Sequence, residues 1–424
     1  MRLAELIDFN PRMALPKTAV VPFIDMAALP TMGRDISLVG ERPASSSGSK
    51  FRNGDTLLAR ITPCLENGKG AKVSGLPSEG VGHGSTEFIV LRAKLKSDEN
   101  FVYYISRHPD FRSFAIQQMS GTSGRQRVSW QPLADFEIQN LDVQDRAAIG
   151  DTLSLLDDKI ELNRRMNETL EGMTQAIFRD WFVDFGPTRR KAAGEADPVA
   201  IMGGLTPDPA RAAHLAALFP AAFGNDGLPV GWLAGTLDNL AKAAGETVNP
   251  TAISSDTPYF GLEHLPRQCI TLDAWGNAGS VSSNKTRFAK GQVLFGKLRP
   301  YFHKVGIAPI DGVSSTDIVV LDSKRPADRP FLASCVSTES FVAFTDQGST
   351  GTKMPRTSWG QMKTYPVALA PEPVRDGYAA IVQPMHDKIV AAVHENRTLA
   401  ETRDYLLPRL MSGAVRVAPK VEAD

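Results

Sequence analysis

Cysteine is scarce in this sequence, with three residues in 424, and the three lie far apart. There is no CxxC pair and no cluster of cysteine with histidine, so neither a structural zinc site nor a disulfide framework is expected. Long apolar runs are missing too, and the first residues, MRLAELIDFNPR, include acids without an apolar signal-peptide core. These absences predict a reduced, cytoplasmic protein without membrane spans.

An excess of charge of either sign is also missing, because 47 Lys and Arg residues balance 47 Asp and Glu residues. A neutral chain gives no global indication of nucleic-acid binding, so any anion-binding surface must come from local segregation of charge. What the chain does have is length and ordinary globular composition, with 42% apolar residues in 424. Two or three domains with real cores are therefore expected.

A long amphipathic stretch lies between residues 145 and 184. Its seam residues alternate steps of four and three, and charged residues fill most positions between them, a pattern typical of a coiled coil. Asp142 is suited to cap the first turn, and Gly186-Pro187 is suited to end the helix. About forty helical residues extend roughly 60 Å at 1.5 Å per residue. A helix of that length needs a packing partner.

That partner is predicted in the same chain, where a second seam begins at Val382. Seam residues of the two stretches correspond at an offset of 229 residues, and the triplet DKI at 158–160 recurs at 387–389. Two unrelated surface helices would not keep one offset, so we interpret the stretches as a duplicated, paired element whose polar seam positions fix its register. The residues predicted to pair the helices are Leu153, Leu156, Ile160, Asn167, Leu170 and Ile177 in the first and Met385, Ile389, Asn396, Leu399 and Leu406 in the second.

The segments ahead of the two helices also repeat. FRNGDTLLARITP from Phe51 corresponds to FAKGQVLFGKLRP from Phe288 at an offset of 237, and STEFIVL from Ser85 to STDIVVL from Ser315 at an offset of 230. Strand-like runs followed by two short helices broken at Pro109 predict a mixed domain. The predicted fold class is α/β (α+β), with two similar mixed α/β domains separated by two long antiparallel coiled-coil helices in an internal pseudo-two-fold repeat.

Basic residues are segregated locally although the chain is neutral. Six lie between residues 285 and 304 with no acid among them, and the loops SGTSGRQRVSW and GSTGTKMPRTSW each carry two basic residues and no acid. Gly/Ser/Thr loops with Arg and Lys suit phosphate contacts and base-edge readout. Any one of these side chains alone is best interpreted as a solvated surface residue, but matching clusters in both copies favour a function. The predicted DNA-contacting residues are Lys50, Arg52, Arg60, Arg125 and Arg127 in the first copy and Lys285, Arg287, Lys297, Arg299, Lys353 and Arg356 in the second.

A catalytic site is not predicted. Residues 291–298 have the spacing of a phosphate loop, but Leu298 replaces the Ser or Thr that would hold Mg²⁺, and the apolar interior is typical of a strand. Asp311 with Asp322 and Lys324 is loosely similar to a nuclease carboxylate–lysine arrangement and occurs in one copy. The seven histidines are scattered, so no metal centre is predicted either.

Two helical regions carry a resemblance to a known family. LLDDKIELNRRMNETLEGMTQAIFRDWFVDF and DKIVAAVHENRTLAETRDYLLPRLMSG resemble the central and distal conserved regions of the specificity subunits of Type I restriction–modification systems. FPAAFGNDGLPVGW resembles the segment leading into that family's second target-recognition domain. The predicted organisation is a first target-recognition domain at 1–143, a central long helix at 144–185, a connector at 186–230, a second target-recognition domain at 231–372, a distal long helix at 373–413 and a tail at 414–424.

The resemblance implies a chain without catalytic activity of its own. Each domain would read one half of a bipartite double-stranded DNA target, and the helices would separate the domains and dock two methyltransferase subunits. Restriction and translocase subunits would complete an adenine-N6 DNA methyltransferase and ATP-dependent endonuclease. No cofactor is expected in this chain, because S-adenosylmethionine, ATP and Mg²⁺ would belong to partner subunits. The alternative is a coiled-coil adaptor that binds proteins without DNA specificity; the neutral charge slightly favours it and the duplicated basic loops disfavour it.

Overall fold

The computed structural model describes residues 1–15, 20–44, 47–77, 80–122, 124–351 and 353–417. The chain divides into two compact units: the first comprises Met1–Leu162 with Thr398–Asp424, and the second comprises Asn163–Arg397. Each unit therefore holds a sheet-containing domain together with part of each long helix. Each unit also has two clusters of buried apolar side chains, one against the helices and one within the domain.

The first unit contains two four-stranded sheets. Its strands are β1 (Ile7–Phe9), β2 (Val20–Ile24), β3 (Gly40–Pro43), β4 (Ser49–Arg52), β5 (Thr56–Ala59), β6 (Gly70–Lys72), β7 (Val81–Gly84) and β8 (Phe88–Ala93). The sheet of order β1-β8-β5-β6 is antiparallel, and the sheet of order β3-β2-β7-β4 has a parallel β2–β7 pair. Strands β5 and β8 are apolar on both faces, because both faces are covered.

The second unit repeats this topology. Its strands are β9 (Leu233–Thr236), β10 (Ala241–Ala243), β11 (Glu246–Val248), β12 (Pro258–Phe260), β13 (Gly276–Asn277), β14 (Lys285–Phe288), β15 (Val293–Gly296), β16 (Val305–Ile307), β17 (Gly312–Ser314), β18 (Ile318–Ser323) and β19 (Pro366–Leu369). The order β10-β18-β15-β16 corresponds strand for strand to β1-β8-β5-β6. The other sheet, β11-β14-β17-β12-β13, matches β4-β7-β2-β3 with β11 added, and its β12–β17 pair is again parallel. The predicted duplication is confirmed.

Short helices follow the sheets in both copies, and the first unit also begins with one. The first unit has α1 (Leu3–Leu6), α2 (Glu99–Arg107), α3 (Pro109–Gln117) and α4 (Trp130–Ala134), and the second has α9 (Arg329–Val336), α10 (Glu339–Gln347) and α11 (Trp359–Met362). Helix α3 begins at Pro109, where the sequence predicts the break, because a proline in the first turn needs no N–H partner.

The two long helices are present as α5 (Val143–Phe178), continued by a π-helical turn at Arg179–Val183, and α12 (Glu372–Met411). Asp142 caps α5, since its Oδ1 accepts the N–H of Asp145 at 2.7 Å. Within the second unit Asn163 of α5 contacts Asn396 of α12, and Thr174 contacts Tyr378, so the helices run antiparallel there.

The seam of the helix pair is polar in its middle. Leu153, Ile160, Asn167, Ile177 and Ile389 of the predicted pairing residues are buried, whereas Leu156, Leu170, Met385, Asn396, Leu399 and Leu406 are half-buried. Asn167 Nδ2 lies 3.5 Å from the main-chain oxygen of Ile389, and its Oδ1 is buried without a partner. Asn163, a seam residue outside the predicted pairing set, donates from Nδ2 to Asn396 Oδ1 at 2.9 Å and to Glu395 Oε2 at 2.7 Å.

A buried arginine–aspartate pair, here called the helix clamp, joins each long helix to the domain before it. In the first unit Arg146 of α5 donates to both carboxylate oxygens of Asp98, at 3.1 and 3.0 Å. In the second unit Arg375 of α12 donates to Asp328 at 3.0 Å. Each aspartate directly precedes a short helix of its domain, α2 or α9. The start of each long helix is therefore fixed to its own domain by the same contact.

The connector is more ordered than its small, polar sequence indicates. It forms α6 (Gly186–Ala192), α7 (Pro198–Ile201) and α8 (Pro209–Ala217), each begun with proline in the first turn. Leu215 and Phe219 pack into the same core as Trp181 of the π-helical turn, with the Trp181 and Phe219 ring centroids 4.9 Å apart. The connector thus covers the end of the helix pair within the second unit.

Candidate nucleic-acid interface

The basic loop of the first unit, residues 120–127, closes on itself and lies against the chain that leaves β5. Ser120 and Arg127 exchange two main-chain hydrogen bonds, of 3.0 and 2.9 Å. Thr62 donates its N–H to the oxygen of Gln126 at 3.0 Å, and Gln126 returns a bond from its N–H to the Thr62 hydroxyl at 3.1 Å. Position 123 lies outside the described residues. The loop is therefore held at its base, and its tip is exposed.

The basic loop of the second unit, residues 350–356, has the same frame. Thr350 and Arg356 exchange main-chain hydrogen bonds of 3.0 and 2.9 Å, and Arg299 donates its N–H to the oxygen of Pro355 at 2.8 Å. Position 352 lies outside the described residues. Because β5 and β15 occupy the same place in their sheets, each loop lies at the same point of its own domain.

An acid from elsewhere in the sequence pairs with the last arginine of each loop. Glu87 accepts from Nε and Nη2 of Arg127 at 2.9 and 2.8 Å, and Asp317 accepts from Nε of Arg356 at 3.3 Å. Hydrogen bonding to Glu87, together with its charge, raises the pKa of Arg127 above the ordinary value. The loop sequences contain no acid, but in the fold Arg127 and Arg356 each pair with an acid from another segment.

The structure brings together one group of predicted residues in each unit. These groups are Arg60, Arg125 and Arg127 in the first unit and Lys297, Arg299, Lys353 and Arg356 in the second. Arg125, Lys353 and Arg356 are exposed, and the others are half-buried. The exposed members can reach a ligand without rearrangement of the loop frame.

Four predicted residues lie apart from the loops, on the other sheet of each unit. Lys50 and Arg52 are on β4, and Lys285 and Arg287 are on the corresponding β14. Arg52 and Arg287 are exposed, whereas Lys285 is only 6% exposed. The Lys285 ammonium donates to the oxygen and hydroxyl of Ser283, both at 2.8 Å, so it does not face solvent.

The predicted contact residue Arg299 begins a short aromatic turn beside the second loop. Arg299 and His303 adopt left-handed backbone conformations, with φ of 52° and 50°, which are strained for residues other than glycine. The Arg267 guanidinium lies 4.1 Å from the Phe302 ring centre, a cation–π contact, and Tyr301 beside it is half exposed. Strain of this kind clusters at ligand-binding turns, which makes Arg267 and Tyr301 further candidates for ligand contact.

Within the described part of the chain, no catalytic constellation stands out. The phosphate-loop spacing at 291–298 is occupied by strand β15, so its amides serve the sheet. Burial raises the pKa of the Cys335 thiol to about 12, and burial with the nearby Glu171 carboxylate does the same for Cys269, so neither is a nucleophile near neutral pH. No group of three metal-ligating side chains and no helix fit to cross a membrane is found among those residues.

Known proteins with similar sequences share one description. The chain is 24% identical over 458 aligned positions to the specificity subunit of the Type I restriction enzyme HindI of Haemophilus influenzae, covering 97% of both chains. It is 21% identical over 325 positions to the MjaIX specificity subunit of Methanocaldococcus jannaschii, covering 75% of this chain and 69% of that one. The relatives that match this chain over most of its length are specificity subunits of Type I restriction enzymes.

A solved structure has a similar fold. The crystal structure of a Type I restriction–modification S subunit from M. genitalium superposes with a TM-score of 0.53 at 14% identity, covering 97% of this chain and 95% of that one. Similarity of that kind shows a shared fold. No protein-family model matches the chain.

Proposed function

We propose that this chain is the DNA-reading subunit of a Type I restriction–modification complex, in which each unit recognises one half of a bipartite duplex target. The observation that carries the proposal is the twinned basic loop, held by the same main-chain bonds at the same point of two domains of equal topology. A duplicated site fits two half-sites, and specificity is the role after which the related subunits are named.

The chemistry of the loops suits this role. Exposed Arg125 and Lys353 offer charged donors to phosphate oxygens, which set orientation and affinity. Arginine also offers paired donors to base edges in the major groove, which carry the sequence information. Methyl transfer, ATP-driven translocation and cleavage would then be performed by partner subunits, which would hold S-adenosylmethionine, ATP and Mg²⁺.

The outer face of α5 suits the docking of those partners. Leu155 and Leu162, one heptad apart in the first unit, are 63% and 61% exposed, although the seam face of the same helix is buried. Exposed apolar residues in a row on a helix are typical of a protein–protein contact. The same observation favours a second candidate, a coiled-coil adaptor that binds proteins and not DNA.

The deciding experiment is genome-wide detection of N6-methyladenine in cells that express the neighbouring methyltransferase with and without this chain. A two-part motif with an unread gap, present only with this chain, is the expected result. No new motif, with the methyltransferase shown to be expressed, would favour the adaptor.

Salt dependence separates the two candidates in vitro. The complex of this chain with its methyltransferase is titrated onto duplex DNA over a series of salt concentrations. Neutralisation of several phosphates gives a slope of log affinity against log salt of about −0.9 per phosphate. A flat response would exclude the DNA-reading role.

A further inference from the structure

An arginine–acid ion pair occurs at the base of each loop, although the two paired residues lie far apart in sequence. Arg127 and Glu87 are 40 residues apart, and Arg356 and Asp317 are 39 apart. In both units the acid follows a Ser-Thr pair just before a central strand, β8 or β18, and the arginine closes the loop. Two copies that differ in most of their loop residues have kept this pair.

The acid occupies one edge of the guanidinium and leaves the other available. Nε and Nη2 of Arg127 face the Glu87 carboxylate, while Nη1 has a 3.4 Å contact with the oxygen of Arg125. Because arginine carries five N–H donors in a planar fork, the donors not engaged by the acid can still form a bidentate contact. The side chain of Arg127 is 43% exposed, so that edge is accessible.

A carboxylate beside the guanidinium changes which part of DNA the arginine can bind favourably. The pair is close to neutral as a unit, and the acid repels a phosphate placed nearby, so the pair is a poor phosphate contact. A guanine edge, with acceptors O6 and N7 and no net charge, is free of that repulsion and matches the fork. Holding the side chain in place beforehand also reduces the ordering cost of binding.

We propose that Arg127 and Arg356 each read a guanine, one in each half of the target, and that Glu87 and Asp317 are positioning residues that orient them. This inference rests on the proposed DNA-reading function. It assigns base readout to two of the basic residues and leaves Arg125 and Lys353 as phosphate contacts.

The test begins with the methylation motif of the wild-type chain and continues with the chain–methyltransferase complex on duplexes of that sequence. Arg127→Ala is expected to weaken binding roughly ten- to a hundred-fold and to remove discrimination at one guanine of one half-site. Arg356→Ala should do the same in the other half only. Glu87→Gln and Asp317→Asn should relax the same positions by a smaller factor, because the arginine remains but is less well oriented.

A modified base identifies the contact. With 7-deazaguanine at the affected position, which lacks N7, the wild type should fall towards the affinity of Arg127→Ala, and that variant should be indifferent to the change. Arg2→Ala, which breaks an exposed ion pair with Asp135 in the same unit, is the matched control and should leave all values unchanged.

Two outcomes would contradict the guanine assignment, and a different one would refute the proposed function. A uniform loss on every sequence, with the salt slope reduced by about 0.9, would make Arg127 a phosphate contact and overturn the guanine assignment. A wild-type motif without guanine on either strand of one half would also overturn it. Absence of any motif with the wild-type chain would instead refute the proposed function itself.

Discussion

The buried ion pair between Asp157 of α5 and Arg403 of α12 makes a quantitative prediction for the first unit. Their side chains are 3% and 6% exposed, and Tyr104 donates its hydroxyl to Asp157 at 2.6 Å. Burial, together with the Asp157 carboxylate, raises the pKa of Tyr104, so this donor persists through the neutral range. Arg403 also holds the exposed Asp404 at 2.8 Å.

Replacement of one partner should cost more than replacement of both. Removing one member of a buried pair typically costs about 3–5 kcal/mol, because the other charge remains buried and unpaired. Asp157→Leu should lie near the lower end, about 3 kcal/mol, since Arg403 keeps Asp404. Arg403→Met should cost about 4 kcal/mol, since Asp157 would keep only the Tyr104 hydroxyl. The double variant should return to within about 1–2 kcal/mol of wild type.

The assay is native-state hydrogen exchange on the full-length chain, which reports each unit separately where a single unfolding midpoint would not. Amides of α2 should lose protection by the stated amounts, and amides of β15 should not change. Equal costs for the double variant and for the two single variants added together would refute the reasoning, because the two charges would then act independently.

Three further predictions follow from buried and exposed polar groups. Burial lowers the pKa of His386 to about 4 from about 6.5 in an unfolded chain, so the unfolded state takes up the extra proton as the pH falls. The free energy of unfolding should be constant above about pH 6.5 and fall by up to about 3 kcal/mol towards pH 4. In urea titrations, His386→Leu should flatten the dependence of this free energy on pH between about pH 6.5 and 5. An unchanged dependence would contradict this. Asn167→Leu should raise stability by about 1 kcal/mol, because the buried amide is poorly satisfied, yet loosen helix register; a single unchanged species in analytical ultracentrifugation would argue against the loss of specificity. Lys353→Ala should reduce the salt slope of DNA affinity by about 0.9, whereas Lys285→Ala, at a buried ammonium, should leave it unaltered; equal slopes for the two variants would show that exposure does not select the contacts.

Periodic patterns predicted much of the fold because they depend on neighbours in sequence. The seam of α5, its cap at Asp142 and the break at Pro109 all follow from local rules of helix geometry and capping. The duplication was detectable because the two copies keep their strands in the same order. The type of each secondary-structure element and the internal repeat can thus be predicted from a single sequence.

Contacts between distant segments were not predictable in the same way. No sequence pattern indicates that Arg127 pairs with Glu87. The number of basic residues in a segment likewise does not show that the Lys285 side chain turns inward to Ser283. The repeat identifies Asn167 and Asn396 as equivalent positions, but equivalent positions are not partners in an antiparallel pair. Asn396 contacts Asn163 because axial alignment depends on the whole interface, whereas the heptad pattern fixes only the face.

The helix clamp has a consequence for how the chain tolerates change. Asp98–Arg146 and Asp328–Arg375 make equivalent contacts in two halves whose sequences otherwise differ. A contact that both halves keep is one that the scaffold of each domain requires. The loop residues have drifted between the halves while the clamp has stayed. Loop segments should therefore be interchangeable between the two domains. A chain that carries residues 350–356 in both domains would have the same DNA-contacting loop twice, which suits a target with two identical half-sites.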